Sequence, residues 1–193
     1  MLGSTSVLGI YRYKNISREL KNRSFCCDCI ERGTMNKKTI LVTGTAGFIG
    51  ANLCLKLFEK YEDIHIIGID NMNAYYDVNI KKWRLSEIER VASEASANGS
   101  EWNFIEGNIA DKVCVDELFR TYKPDIVVNL AAQAGVRYSI SNPDAYIESN
   151  LIGFYNILEA CRHSYDDGER GVEHLVYASS SSVDGANKQI PYS

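Results

Sequence analysis

Eight consecutive residues constrain this chain more than any others: Thr43-Gly44-Thr45-Ala46-Gly47-Phe48-Ile49-Gly50, with glycines spaced G-x-x-G-x-x-G. Before them lies a short β-rich apolar run, Lys38–Thr43. After them, Phe48–Tyr61 has helical spacing, with Ile49, Leu53, Leu57 and Phe58 on or near one face. A strand that passes straight into a helix through glycines belongs to a small set of folds. Gly44 permits a sharp exit from the strand, Gly47 lets backbone amides come close to a ligand, and Gly50 lets the helix pack closely on the sheet. The helix start adds free N–H groups and partial positive charge. The turn is therefore expected to cradle a pyrophosphate, with Thr45, Ala46, Phe48 and Ile49 forming the backbone around it.

The same alternation continues to the end of the chain. Strand-like runs at Ile64–Ile69, Trp102–Ile105, Asp125–Leu130 and His174–Ala178 are separated by helical spacing. The helices are Asp77–Ala97 (through Ile80, Trp83, Leu85, Ile88 and Val91), Asp111–Tyr122 (with Val115, Leu118 and Phe119 inward) and Pro143–Cys161. Strands separated by helices pair in parallel through right-handed crossovers. Nearly all-apolar strands are expected where helices cover both faces of a sheet. The expected fold is α/β, a doubly wound parallel sheet of Rossmann-like type, in a domain covering 37–193. Composition agrees: 45% apolar and 24% charged residues exclude global disorder. No run approaches the roughly 18–20 apolar residues of a membrane-spanning helix. A net charge of −4 argues against a nucleic-acid binder that works by bulk charge.

In such sheets ligands bind at the carboxyl ends of the strands. Asp70, followed by Asn71, ends the second of these strands, where a carboxylate accepts hydrogen bonds from both ribose hydroxyls of an adenosine. It would repel the extra phosphate of NADP, so NAD is the expected cofactor. Asn108-Ile109 follows the third strand, beside the expected adenine position. Leu130-Ala131-Ala132 ends the fourth, with small residues against which a cofactor can lie. Ser179–Ser182 ends the fifth, a run of hydroxyls suited to a polar substrate or a proton relay.

Residues 1–36 stand apart. Positions 1–38 hold eight Lys/Arg against three Asp/Glu, whereas 39–193 hold thirteen against twenty-two. With no sustained period, 1–36 is expected to be a poorly ordered basic extension, and Met35 offers an alternative start. The segment is a poor signal peptide, since no basic region precedes the apolar patch Val7–Ile10 and no long apolar stretch follows. Cys26, Cys27 and Cys29 lack the paired spacing of a metal site and lie far from His65, His163 and His174. No metal is expected, and free thiols point to a reducing cytoplasm.

Four stretches, TGTAGFIG, NLAAQAGVRYSI, NPDAYIESNLIGFYNILEACRH and HLVYASSSSV, resemble the extended short-chain dehydrogenase/reductase family. With DNMNAYYDVNIKKWRL, the resemblance narrows to its nucleotide-sugar epimerase branch, and within that to the enzymes that epimerise UDP-glucuronate at C4 to UDP-galacturonate. It covers residues 37–193. The resemblance implies tightly held NAD that takes a hydride from the 4-position of a UDP-sugar and returns it to the opposite face of a 4-keto intermediate. It also implies that Ser180 assists a catalytic tyrosine, that Ser179 lines the cofactor, and that Ser181 and Ser182 line the sugar face. Gln133 and Arg137 would face the substrate, Asn150 would lie on the helix backing the cofactor, and the complete enzyme would be a homodimer.

Two features depart from that family. Its base and partner form Tyr-x-x-x-Lys, yet none of the twelve tyrosines here is followed by lysine four residues on, Tyr192 lying too near Ser193 to test. The chain is therefore expected to be an N-terminal, cofactor-binding portion that lacks the C-terminal substrate domain and does not turn over. Asp184 also stands where the family usually has tyrosine. Two other readings stay open: a dehydratase or decarboxylase of the same family, and a non-catalytic dinucleotide-binding module. Ser181 and Ser182, standing where dehydratases carry acidic residues, speak against a dehydratase. The missing Tyr-x-x-x-Lys supports the binding module.

Overall fold

Strands and helices alternate as the apolar pattern requires. In the computed structural model, which describes residues 8–11, 37–166, 168 and 171–180, β1 (Leu8–Tyr11) and β2 (Lys38–Thr43) precede α1 (Phe48–Lys60). Then come β3 (Ile64–Asp70), α2 (Val78–Ala95), β4 (Glu101–Glu106), α3 (Lys112–Tyr122) and β5 (Ile126–Asn129). The short α4 (Tyr138–Ser141) and α5 (Asp144–Tyr146), a π-helical stretch (Ile147–Gly153), α6 (Phe154–His163) and β6 (His174–Ala178) complete the order.

The sheet order is β1-β6-β5-β2-β3-β4. All pairs among β2 to β6 are parallel. The chain builds outward from β2 to β3 and β4, then returns to the other side of β2 to lay down β5 and β6. The switch in direction falls between β2 and β5, where a crevice opens at the carboxyl ends. Neighbouring residues of β2 serve opposite faces. Ile40 and Val42 pack with Cys54 and Phe58 of α1 and Ile88 of α2, while Leu41 packs with Val115 and Leu118 of α3 and Ile157 of α6. Among the described residues no helix is long and apolar enough to cross a membrane.

Three local expectations need correction. Ile49, Ile80 and Trp83, read as part of the apolar spacing of their helices, are exposed. The buried rows are Gly50, Ala51, Cys54 and Phe58 on α1 and Lys81, Ile88, Ala92 and Ala95 on α2, and these three side chains stand off those rows. The single helix expected over Pro143–Cys161 is instead divided by the π-helical stretch. There Gly153 lies against Ile109, and a Cβ at that glycine would come within 2.6 Å of Ile109 Cγ1. Finally, Leu8–Tyr11 lies within the segment expected to lack regular structure, yet it pairs antiparallel with β6, Leu8 opposite Ala178 and Tyr11 opposite Leu175. The backbone groups along that side of β6 need partners, and an antiparallel segment supplies them. The remaining residues of 1–36, including Cys26, Cys27 and Cys29, lie outside the described residues.

Candidate cofactor-binding site

The turn after β2 is held by its neighbours. Gly44 takes φ +70°, and its amide donates to Ile69 O at 2.8 Å, pinning the turn to the end of β3. The fully buried Thr43 hydroxyl donates to Asn129 Oδ1 at 2.6 Å and accepts from the amides of Leu130 (3.0 Å) and Ala131 (2.9 Å). One hydroxyl thus ties β2 to the chain leaving β5. Gly50 is needed for a different contact from the expected one. A Cβ there would overlap Gly44 O and stand 2.9 Å from Thr45 Cα, so the helix packs on the turn itself. The first turn of α1 holds no acidic residue, and its N-cap, Gly47, brings no side-chain cap. Its amides are therefore available to an anion. Thr45 and Ala46 are wholly buried beneath the turn, whereas the Phe48 and Ile49 side chains are exposed.

Asp70, at the end of β3, is buried and engaged. Its Oδ2 accepts from the Ala46 amide (3.1 Å), and its Oδ1 accepts from the Met72 amide (2.9 Å) and from Lys81 Nζ (3.3 Å). Lys81, in the first turns of α2, is also buried and donates to Asn73 Oδ1 at 3.2 Å. Asp70 therefore braces the glycine turn as well as facing the crevice.

The crevice wall brings together Gly44, Gly47, Asp70, Asn71, Asn108, Ile109, Leu130, Ala131, Ala132 and Gln133. The other expected site residues sit elsewhere. Asn150 clamps Gln133 by both backbone groups, accepting from its amide at 2.8 Å and donating to its carbonyl at 3.0 Å, while the adjacent Ser149 lines the crevice. Arg137 is exposed at the start of α4, outside the wall. Ser179 (half-buried) and Ser180 (exposed) follow β6, and Ser181, Ser182 and Asp184 lie outside the described residues.

Sequence reasoning missed Lys81, Asn73, Tyr75, Tyr76 and Gly107 in this wall. Tyr75 packs on Tyr76 (ring centroids 4.6 Å apart) and on Tyr138 (4.8 Å), so the segment after β3 touches the one after β5. Desolvation, with nearby Tyr76, Tyr146 and Tyr138, holds the Tyr75 phenol above its ordinary pKa. The pair Tyr75-Tyr76 did carry a signal, as two aromatics in a loop. Lys81 carried none, because a lysine on a helix is ordinarily solvated. Among the described residues, no three His, Cys, Asp or Glu side chains group as a metal set.

With this geometry established, comparison with known proteins assigns the family. The model of the NAD dependent epimerase/dehydratase family matches residues 40–193. The chain belongs to that family. CapI of Staphylococcus aureus is 44% identical over 154 residues, 80% of this chain and 41% of that protein. A probable UDP-glucuronate 4-epimerase of Rhizobium meliloti is 38% identical over 152 residues, 79% of this chain and 40% of that protein. Among solved structures, the UDP-glucose-4-epimerase of Stenotrophomonas maltophila with bound NAD and formylated UDP-arabinopyranose superposes with TM-score 0.61 at 27% identity, covering 80% of this chain and 40% of that one. The epimerase/dehydratase chain described here thus spans about two fifths of the length of these relatives.

Proposed function

We propose that this chain is the NAD-binding portion of a nucleotide-sugar 4-epimerase that converts UDP-glucuronate to UDP-galacturonate. The observation that carries the reading is the crevice at the strand-order switch, with the acid-free, uncapped start of α1 on one side and Asp70 on the adjacent strand. The similarity to a probable UDP-glucuronate 4-epimerase and to UDP-glucuronate 4-epimerase 4 of Arabidopsis thaliana, 39% identical, supports the choice of sugar.

The residues present fit the cofactor. Backbone amides at the α1 start would take its diphosphate, Asp70 would accept from a ribose diol, and Ala131 and Ala132 would leave room beyond β5. A 2′-phosphate would bring further negative charge to the Asp70 carboxylate, so NAD is favoured over NADP. When bound, NAD supplies the oxidation and reduction at one sugar carbon. The chain's part is to hold and orient. Gln133, fixed by Asn150, would set the substrate-facing loop with Arg137. Ser180, at the end of β6, would hydrogen-bond the reacting hydroxyl. The assembled enzyme would be a homodimer that covers the exposed Ile147, Leu151, Tyr155 and Leu158.

A second reading is a non-catalytic dinucleotide-binding module, for which the crevice alone suffices. Assaying the natural protein purified from its source for interconversion of UDP-glucuronate and UDP-galacturonate separates the two. NAD binding without turnover favours the module, and turnover establishes the epimerase.

A further inference from the structure

We infer that Tyr75 is the latch of a strap across the crevice and sets how fast a dinucleotide enters and leaves, an inference that rests on the dinucleotide reading above. In the sheet, β2 lies between β3 and β5. A ligand with its diphosphate at α1, past β2, and a ribose at Asp70, past β3, therefore extends toward β5. An aromatic contact spans the same gap. Tyr75, in the loop after β3, packs on Tyr138, in the segment after β5, with ring centroids 4.8 Å apart. Its phenol also reaches the backbone of Gly135, where a Cβ would stand 2.5 Å from Tyr75 Oη. Tyr75 and Ala134 line the crevice together with Gly44 and Gly47. The two loops thus meet across the crevice that holds the glycine turn, and a ligand laid along that turn has to pass their contact.

The two halves of the strap are held differently. On the β5 side, Tyr146 Oη donates to Ala134 O at 3.0 Å and to Gly135 O. The Tyr138 amide donates to Gly135 O at 3.2 Å, and Asn142 Nδ2 donates to Tyr138 Oη at 2.8 Å. On the β3 side, the Asn73 amide donates to Asn71 Oδ1 at 3.2 Å and the Tyr75 amide to Asn73 Oδ1 at 3.4 Å, both within the loop itself. Lys81 holds Asn73 from α2, but past Asn73 the loop crosses to the β5 side through the Tyr75 ring. Tyr75 Oη makes no hydrogen bond among the described residues. The braced side is therefore the catch, and the loop after β3 is the part that swings. A contact of rings alone is weak enough to open and close.

The test follows NADH binding to the chain, and its displacement by excess NAD, by stopped-flow fluorescence. A latch that closes the free and the bound crevice alike slows both directions and leaves Kd little changed. Tyr75→Ala is expected to raise the association and dissociation rate constants together by about threefold to tenfold, the scale of one aromatic pair. Tyr138→Ala opens the same contact from the other side and should do the same, and the double variant should be no faster than either single one. Tyr75→Phe keeps the ring and should keep both rates. Thermal melts check that each variant folds, and if Tyr75→Ala does not, Tyr138→Ala carries the test. Unchanged rates in the alanine variants overturn the latch. So does faster dissociation with unchanged association, the signature of a simple ligand contact, or a double variant whose effect is the product of the two. In each of these cases the dinucleotide reading stands. A wild-type chain that binds neither NADH nor NAD overturns both.

Discussion

Asp70 joins three parts of the molecule: the glycine turn through Ala46, its own loop through Met72, and α2 through Lys81. Asp70 and Lys81 are both buried, at 8% and 6% exposure, so removing either partner strands the other in a poorly solvated place. Asp70→Asn or Lys81→Met is expected to cost about 3–5 kcal/mol in urea denaturation. The double variant should recover part of that, because neither charge is then left alone. Asp70→Asn should also weaken NAD binding, as the melting shift with NAD would report. At two other residues burial governs protonation. Burial pushes the thiols of Cys54 and Cys161 up to about 12 from an ordinary 9.0. A thiol that resists ionisation in the folded state contributes stability that is complete below about pH 9 and is lost as the pH rises toward 12. Denaturation midpoints should therefore fall between pH 8 and about pH 10.5 in the wild type, and fall less in Cys54→Ala. At pH 8, iodoacetamide should label these two cysteines only after denaturant is added, as peptide mass mapping would show.

Individual elements carry surfaces that their own packing leaves open. From Ile147 through α6, Ile147, Leu151, Tyr155 and Leu158 recur at spacings of four, four and three, and all are exposed. Such a stripe is apolar surface without a covering partner among the described residues. Leu151→Lys with Tyr155→Glu is expected to shift the chain toward monomer in concentration-dependent light scattering. Its folding stability should move by only about 0.5 kcal/mol, since exposed positions contribute little. At α1 the contact runs the other way. The missing Cβ of Gly50 is what admits Gly44 O, so Gly50→Ala should destabilise the chain by about 1–3 kcal/mol, in the range of overpacked sites. The same variant should weaken NAD binding, because the helix start and the turn must move apart.

At the scale of the whole molecule, the crevice couples ligand to stability. If NAD binds only the native state, a concentration one hundred times its Kd should add about 2.7 kcal/mol to unfolding, and NADP at equal concentration should add less. A melt unmoved by saturating NAD would sink the proposed function. The alternation of elements, the parallel sheet and the glycine turn were legible in the sequence because they rest on local signals: apolar period, strand composition and glycine spacing. Asp70 was legible for a related reason, since its place after a strand puts it at the sheet's carboxyl end. Faces of helices were less legible. Ile49 and Trp83 belong to the apolar pattern yet lie outside, because each stands off the row of its helix that the sheet buries. Where crossovers carry distant segments together, the one-dimensional pattern holds no record of the meeting. Lys81 reaches Asp70 from α2, Asn150 clamps Gln133 from 17 positions away, and Glu148 meets Asn108 across 40. The order of residues thus determined which elements form and which strand ends face the ligand. Tertiary structure alone decided which side chains share the crevice, because that depends on how strands and crossovers pack in space.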